Sequence, residues 1–156
     1  ALAKGVLFLS AANIHRAFAS KTTEGASGAM RRLPVSGTLF LLGFFAVTGS
    51  PPFGPFLSEF TILNAAFSDG RWVVGSLFIL MLVVIFIGMA ATVLSVVQGE
   101  PAPEPALPPG GKRFHDTFLT VAPIIVFLGA VLLLGLYVPP PLDALMRSAA
   151  QVEVTR

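Results

Sequence analysis

The chain alternates between long apolar stretches and shorter polar segments. Four apolar regions stand out, and they occupy residues 1–19, 35–68, 72–98 and 117–138. A helix needs about 20 apolar residues to cross a bilayer core. The third and fourth regions supply that number by themselves. The pattern therefore predicts an all-α, polytopic membrane helix bundle with about four spans.

The second region contains a break in its middle. Its segment GSPPFGPFLSEF, residues 49–60, holds three prolines and two glycines. The flanking halves are each about 20 Å long as helices, which is too short to cross a core of about 30 Å. We therefore predict one broken transmembrane helix over 35–68 with its break at 50–55. The residues assigned to the break are Pro51, Pro52, Gly54 and Pro55.

Composition agrees with a membrane protein and excludes several classes of site. Hydrophobic residues make up 54% of the chain and charged residues 12%, against about 25% charged residues in soluble domains. The chain has no cysteine, and its two histidines lie far apart. We therefore expect no metal, no cofactor and no nucleic acid to bind this chain. No Ser–His–acid set or phosphate loop indicates a catalytic site.

Basic residues divide unequally between the connecting segments. If the broken helix crosses once, the segments around 20–34 and 99–115 lie on one side and hold six basic residues. The opposite side holds three, which are Arg71, Arg147 and Arg156. The positive-inside rule then places the proline-rich loop 99–115 and the loop 20–34 in the cytoplasm. The tail 139–156 is predicted to lie outside an inner (plasma) membrane.

The first apolar region opens in mid-pattern with ALAKGVLFLSAANI. Its basic residue follows apolar residues, and no cleavage site for a signal peptide follows the apolar stretch. We interpret residues 1–19 as a truncated helix. The chain is then expected to be the C-terminal part of a longer protein.

Glu59 is the strongest candidate for chemistry, because it follows the predicted break inside an apolar region. A charged side chain at membrane depth costs at least about 2.5 kcal/mol on insertion scales. A carboxylate whose pKa is set by desolvation against a nearby cation can exchange a proton near neutral pH. The alternative is a structural role, in which Glu59 caps free amides at the break or extends toward the membrane interface.

Two basic side chains on the first helix are further candidates for a proton pathway. Lys4 lies inside the membrane if the helix extends upstream, and it is an interfacial anchor if it does not. His15 lies about three helical turns further along. It could relay protons to Lys4, or it could simply lie at the interface. Asn13 and Ser10 are interpreted as packing or water-binding residues, and Asp116 and His115 as structural residues at the start of the last helix.

Three segments resemble, in the same order, a known membrane family: LAKGVLFLSAANI, GAMRRLP and GSPPFGPFLSEF. The chain resembles the C-terminal half of the proton-translocating antiporter-like subunits. These occur in respiratory complex I, in multisubunit (Mrp-type) cation/proton antiporters and in group 4 hydrogenases. The motif around the break is most similar to that of hydrogenase-4 component F.

The resemblance implies a fold and a set of roles. The family fold has fourteen helices in two inverted repeats, each with one broken helix, so this chain would supply the end of the second repeat. Lys4 and Glu59 match the protonatable positions of the family's central axis. The implied function is proton translocation as a non-redox subunit, with electron carriers in partner membrane and peripheral subunits. A subunit of NADH–quinone oxidoreductase, a cation/proton antiporter subunit and a purely structural anchor remain alternatives.

Overall fold

The computed structural model describes residues 1–20, 22–100 and 114–137, and these form an all-α structure without strands. The predicted helical membrane class is confirmed. A short 3-10 helix lies at Glu24–Ala26. The α-helices are α1 (Leu2–Phe18), α2 (Ala29–Arg32), α3 (Pro34–Val47), α4 (Gly54–Ser68), α5 (Trp72–Gln98) and α6 (Phe118–Leu136). Residues 101–113 of the proline-rich loop and residues 138–156, which include the tail, lie outside the described part.

Helix lengths divide the bundle into long and short members. Within the described ranges, α5 with 27 residues and α6 with 19 are long and apolar enough to cross a membrane. The segment Glu24–Arg32 meets α3 at 111°, and counting this bent pair as one span gives up to three. Helices α3 and α4 have 14 and 15 residues, so each extends only about 20 Å. The chain is therefore a multi-pass membrane protein in which the second apolar region forms two short helices.

The long helix α5 packs against both short helices. Near its start, the Trp72 ring lies 5.3 Å from that of Phe67 at the end of α4. Near its middle, the Phe86 ring lies 5.2 Å from that of Phe44 in α3. Further along, Val97 is fully buried in the same cluster as Phe44. The two halves thus follow one another along α5, which fits a single crossing by a broken helix.

Helix α1 forms the core of the bundle with α3 and α6. Val6 is fully buried in a cluster with residues of both partners, including Leu39 and Ile124. The backbones of α1 and α3 come close at Gly43, where an added methyl group would lie 3.2 Å from the backbone nitrogen of Leu7. A small residue at this crossing lets two membrane helices pack backbone to backbone. This packing fixes α3 and hence the position from which the break begins.

Most of α5 is not covered by the other described helices. Only 6% of its most apolar 18-residue stretch is buried, and large side chains such as Val73 and Ile87 are more than half exposed. A soluble protein rarely exposes an apolar surface of this size. This face is therefore suited to lipid or to other membrane helices.

Candidate functional site

The break begins where α3 ends in a glycine turn. The Ser50 N–H donates to the Phe45 carbonyl oxygen at 3.0 Å, and Gly49 between them has φ +67°. A residue with positive φ just after the helix and a bond that reaches back over its last turn form a Schellman motif. This motif favours glycine because a side chain disfavours that backbone conformation. The sequence therefore ends α3 by turn chemistry before the first proline is reached.

The non-helical segment covers residues 48–53, slightly earlier than the predicted 50–55. Pro51 and Pro52 lie within it, and the Phe53 N–H donates to the Ser50 carbonyl oxygen at 3.1 Å. Gly54 and Pro55, which we predicted to be part of the break, instead form the first turn of α4. Proline suits that position because the first amides of a helix have no intrahelical acceptor. The assignment of Gly54 and Pro55 to the break was therefore wrong.

Glu59 lies about one and a half turns into α4, and its side chain is partly buried. Its carboxyl group folds back over the break and rests against the backbone of Gly49. The nearest atoms to a methyl group placed at position 49 would be the two oxygens and the carboxyl carbon of Glu59. The local fold thus places a carboxyl group directly beside the end of α3.

A cavity of about 340 Å³ adjoins this carboxyl group. Its lining includes the polar residues Glu59, Thr48 and Ser50, whereas the lining residues on α5 are apolar. Its lining residues are Thr48, Gly49, Ser50, Pro51, Phe56, Glu59, Phe60, Leu63, Leu82, Val83 and Phe86. Non-helical backbone at membrane depth requires protein or water around it. The arrangement gives Glu59 a space in which it can exchange a proton with water or with a neighbouring group.

The other side of the break packs against the end of α6. Gly135 packs against the Pro52 carbonyl oxygen so closely that a methyl group there would overlap it. The same methyl group would lie 2.6 Å from the backbone nitrogen of Gly54. The break therefore contacts the end of α6 at Gly135 on one side and borders the Glu59 cavity on the other.

Lys4 and His15 lie on one exposed stripe of α1. Both side chains are exposed, and so is Phe8 between them at 71%. Their spacing of 11 residues equals three turns, which puts the two side chains about 16 Å apart along the same face. Neither residue lines the Glu59 cavity. Within the described part of the chain, the three predicted proton-pathway residues therefore do not form one cluster, and their roles stay predictions.

A buried polar network joins α1, α3 and α6 near the start of α3. The Asn13 side-chain amide donates to Ser36 Oγ at 3.1 Å and to the Thr120 carbonyl oxygen at 3.3 Å. The Ser36 N–H and the Val35 N–H donate to one carboxylate oxygen of Asp116 at 3.1 and 3.2 Å. Asp116 therefore caps α3, whereas Thr117 and Thr120 form the capping box of α6.

Sequence reasoning identified Asp116 as structural but assigned it to the start of the last helix. The sequence does indicate that α3 lacks a capping residue of its own, because Leu33 stands directly before Pro34 at the start of the helix. Leucine has no side-chain acceptor for the free amides of the first turn, so a cap from elsewhere was needed. The contact at Gly49 was also missed, because the sequence alone does not show that the Glu59 side chain of α4 reaches back to it.

The sequence of this chain is similar to that of known membrane proteins. Residues 1–90 match the family model described as "NADH:quinone oxidoreductase/Mrp antiporter, TM". This range contains Lys4, the break and Glu59. Two curated proteins are similar over most of the chain. The first, a Na(+)/H(+) antiporter subunit of Bacillus subtilis (strain 168), is 25% identical over 143 residues, which is 91% of this chain.

The second similar protein is the hydrogenase-4 component F homolog of Methylacidiphilum infernorum (isolate V4). It is 26% identical over 142 residues, or 89% of this chain. The matched part is 28% of the length of the antiporter subunit and 27% of that of the hydrogenase component. The chain thus spans just over a quarter of the length of these relatives.

Proposed function

Since this chain belongs to the NADH:quinone oxidoreductase/Mrp antiporter family of membrane proteins, we propose that it is part of a proton-translocating subunit of a hydrogenase-4-like oxidoreductase complex. Glu59 takes up and releases the proton within the membrane. The observation that carries this proposal is the contact of the Glu59 carboxyl group with the end of α3, beside a cavity at the break of a broken helix. The similarity to a hydrogenase-4 component F homolog supports the choice of complex.

The chemistry follows from the cost of charge at membrane depth. A neutral carboxylic acid is far less costly there than a carboxylate. Glu59 therefore takes up a proton more readily when a positive charge moves away from it, and it releases the proton more readily when a positive charge approaches. Glu59 holds the proton beside the break, and the cavity provides the place from which the proton leaves or arrives. Lys4, on the exposed stripe of α1, is a second protonatable group in this pathway, with His15 as a relay toward the loop side.

In this proposal the driving force comes from partner subunits. Electron transfer in those subunits changes the charge near the proton pathway and so changes the proton affinity of its groups. The chain is embedded in an inner (plasma) membrane with its loops 20–34 and 99–115 in the cytoplasm. Its own part is to hold and pass protons, and the redox groups lie elsewhere in the complex.

The direct test is proton uptake by inverted vesicles that contain the complete complex, driven by electron transfer, with Glu59→Gln beside the wild type. Glutamine keeps the shape of the side chain and cannot ionise. We expect uptake to be lost while assembly and electron transfer persist. Glu24→Gln, which neutralises an exposed carboxylate in the loop segment, is the matched control. Unchanged uptake in Glu59→Gln vesicles would exclude Glu59 from the pathway and favour a structural anchor.

A second candidate function is cation/proton antiport, and the similarity to a Na(+)/H(+) antiporter subunit favours it. The same vesicles distinguish the two functions when an imposed sodium gradient replaces the electron donor. Antiport predicts proton movement that depends on sodium and needs no electron transfer. A hydrogenase-type subunit predicts proton movement only with the electron donor present.

A further inference from the structure

Gly49 and Glu59 belong to different helices and meet across the break. Gly49 follows the last turn of α3 with φ +67°, a conformation that by itself favours glycine. The space above its Cα is filled by the Glu59 carboxyl group, which a methyl group at position 49 would overlap. Glycine is therefore favoured here for two separate reasons, one of backbone conformation and one of the space that the carboxyl group occupies.

Gly70 separates these two reasons. It follows the last turn of α4 with φ +71°, and the Arg71 N–H donates to the Ala66 carbonyl oxygen at 2.9 Å, as in the turn at Gly49. A methyl group at Gly70, however, would meet no atom within 4 Å. The two glycines thus share a backbone role, and only Gly49 has a carboxyl group resting on it.

We propose that Gly49 is a positioning residue for Glu59, holding its carboxyl group over the break and beside the cavity. This inference rests on the proposed function of Glu59 as the proton carrier. Any side chain at position 49 pushes the carboxyl group off the end of α3. The glutamate side chain has several rotatable bonds, so it moves aside at small cost, and the helices keep their packing. Gly49 therefore determines where the Glu59 carboxyl group holds its proton.

The main comparison is Gly49→Ala against Gly70→Ala in the complete complex in inverted vesicles. A misplacement of about 1 Å in a reacting group can cost up to roughly a hundredfold in rate. We expect Gly49→Ala to slow proton uptake by about tenfold or more, and Gly70→Ala to leave it near the wild-type rate at equal assembly. Equal losses in both variants would overturn the proposal, because the backbone conformation alone would then explain them.

Asparagine variants provide a second pair if Gly49→Ala fails to assemble. Asparagine adopts positive φ more readily than alanine, so Gly49→Asn reduces the backbone cost and still fills the space of the carboxyl group. Gly70→Asn is its control. Slower uptake in Gly49→Asn alone supports positioning, and equal uptake in the two variants contradicts it.

A shorter acid at position 59 tests whether the effect acts through the carboxyl group. Aspartate lacks one methylene, so its carboxyl group is drawn back from Gly49 and an added methyl group displaces it less. In a Glu59→Asp background, Gly49→Ala should slow uptake clearly less than about tenfold, because residues that act through one contact have non-additive effects. A full tenfold loss in that background would show that Gly49 acts independently of residue 59, and the proposal would be wrong.

A readout that does not depend on transport separates this inference from the proposed function. An apolar carbodiimide reacts with membrane carboxyl groups, and mass spectrometry gives the extent of modification at Glu59. Gly49→Ala should change that extent at least about twofold while Gly70→Ala does not, since only the former moves the carboxyl group. If Glu59→Gln leaves transport intact, the proposed function fails, and the labelling still decides the positioning. Unchanged labelling in Gly49→Ala overturns the positioning alone.

Discussion

The carboxylate of Asp116 accepts a hydrogen bond from the backbone N–H of Ser36 at 3.1 Å, although 80 positions separate the two residues. The same oxygen accepts from the Val35 N–H at 3.2 Å. Helix α3 begins at Pro34 and has no capping side chain of its own. The segment before α6 thus supplies the cap for the first half of the broken helix, and it ties the start of α6 to the start of α3.

Asp116→Ala should destabilise the bundle by about 1–2 kcal/mol, as the loss of a charged cap at a helix start does. Asp116→Asn should cost less, because the amide oxygen can still accept the two backbone bonds. Thermal unfolding of the purified protein in detergent, followed by circular dichroism, measures both. Asp69→Ala is the control, since this acidic residue is exposed at the end of α4. A thermal midpoint for Asp116→Ala equal to that of Asp69→Ala would contradict the capping role.

Asn13 continues the network into the bundle, where its amide joins Ser36 to the Thr120 carbonyl oxygen. Asn13→Leu removes the side-chain donor to Ser36 Oγ and to the Thr120 carbonyl oxygen, and the loss of such hydrogen bonds costs about 1–3 kcal/mol. We therefore expect a lower thermal midpoint and a weaker attachment of α6 to α1. Asn64→Leu makes the same chemical change on the exposed side of α4 and should leave the midpoint unchanged. If Asn13→Leu and Asn64→Leu have the same thermal midpoint, the network does not contribute to stability.

Hydropathy alone indicated the helical membrane class, because apolar stretches of about 20 residues have few other uses. The motif after the break also pointed to Glu59, since an acidic residue at membrane depth is costly and rarely retained without a role. Both features are local in sequence. The comparison with the family confirms the resemblance on which the assignment of a function was based.

The details that sequence reasoning missed depend on contacts between distant residues. The cap of α3 lies 80 positions downstream, and nothing near Pro34 says which acidic residue provides it. The limits of the break shifted because the glycine turn at Gly49 ends α3 early and proline is favourable in the first turn of α4. The position of the Glu59 carboxyl group likewise depends on how α4 is placed after the break, so that the side chain reaches back to Gly49.

Gly135 should be essential to the packing of α6 on the break. A methyl group there would overlap the Pro52 carbonyl oxygen and lie 2.7 Å from the Phe53 carbonyl carbon, and backbone atoms cannot move aside as side chains do. Gly135→Ala should therefore cost about 1–3 kcal/mol, as overpacking does. Gly129→Ala, in the same helix with no atom within 4 Å, should be nearly neutral. Thermal unfolding of the two variants decides, and similar midpoints would show that α6 does not need this close contact.

Lys4 should affect transport without affecting stability. Its side chain is exposed on α1, so Lys4→Gln removes a charge without disturbing the packing of Val6 or Asn13 against α3. If Lys4 passes protons, its loss should slow proton uptake by about tenfold or more, the scale of an acid–base group. The thermal midpoint should stay at the wild-type value. Arg16→Gln, which removes an exposed charge near the loop end of the same helix, is the control and should leave uptake unchanged.

His15 and Lys4 lie on one exposed stripe of α1. A double variant can therefore test whether His15 passes protons to Lys4. If His15 relays protons to Lys4, His15→Gln slows uptake in the wild type and has little further effect once Lys4→Gln is present, because both lie on one route. If the two effects multiply, the residues act separately and the relay is wrong. A His15→Gln variant with full uptake would limit the pathway to Lys4 and Glu59 and leave His15 as an interfacial residue.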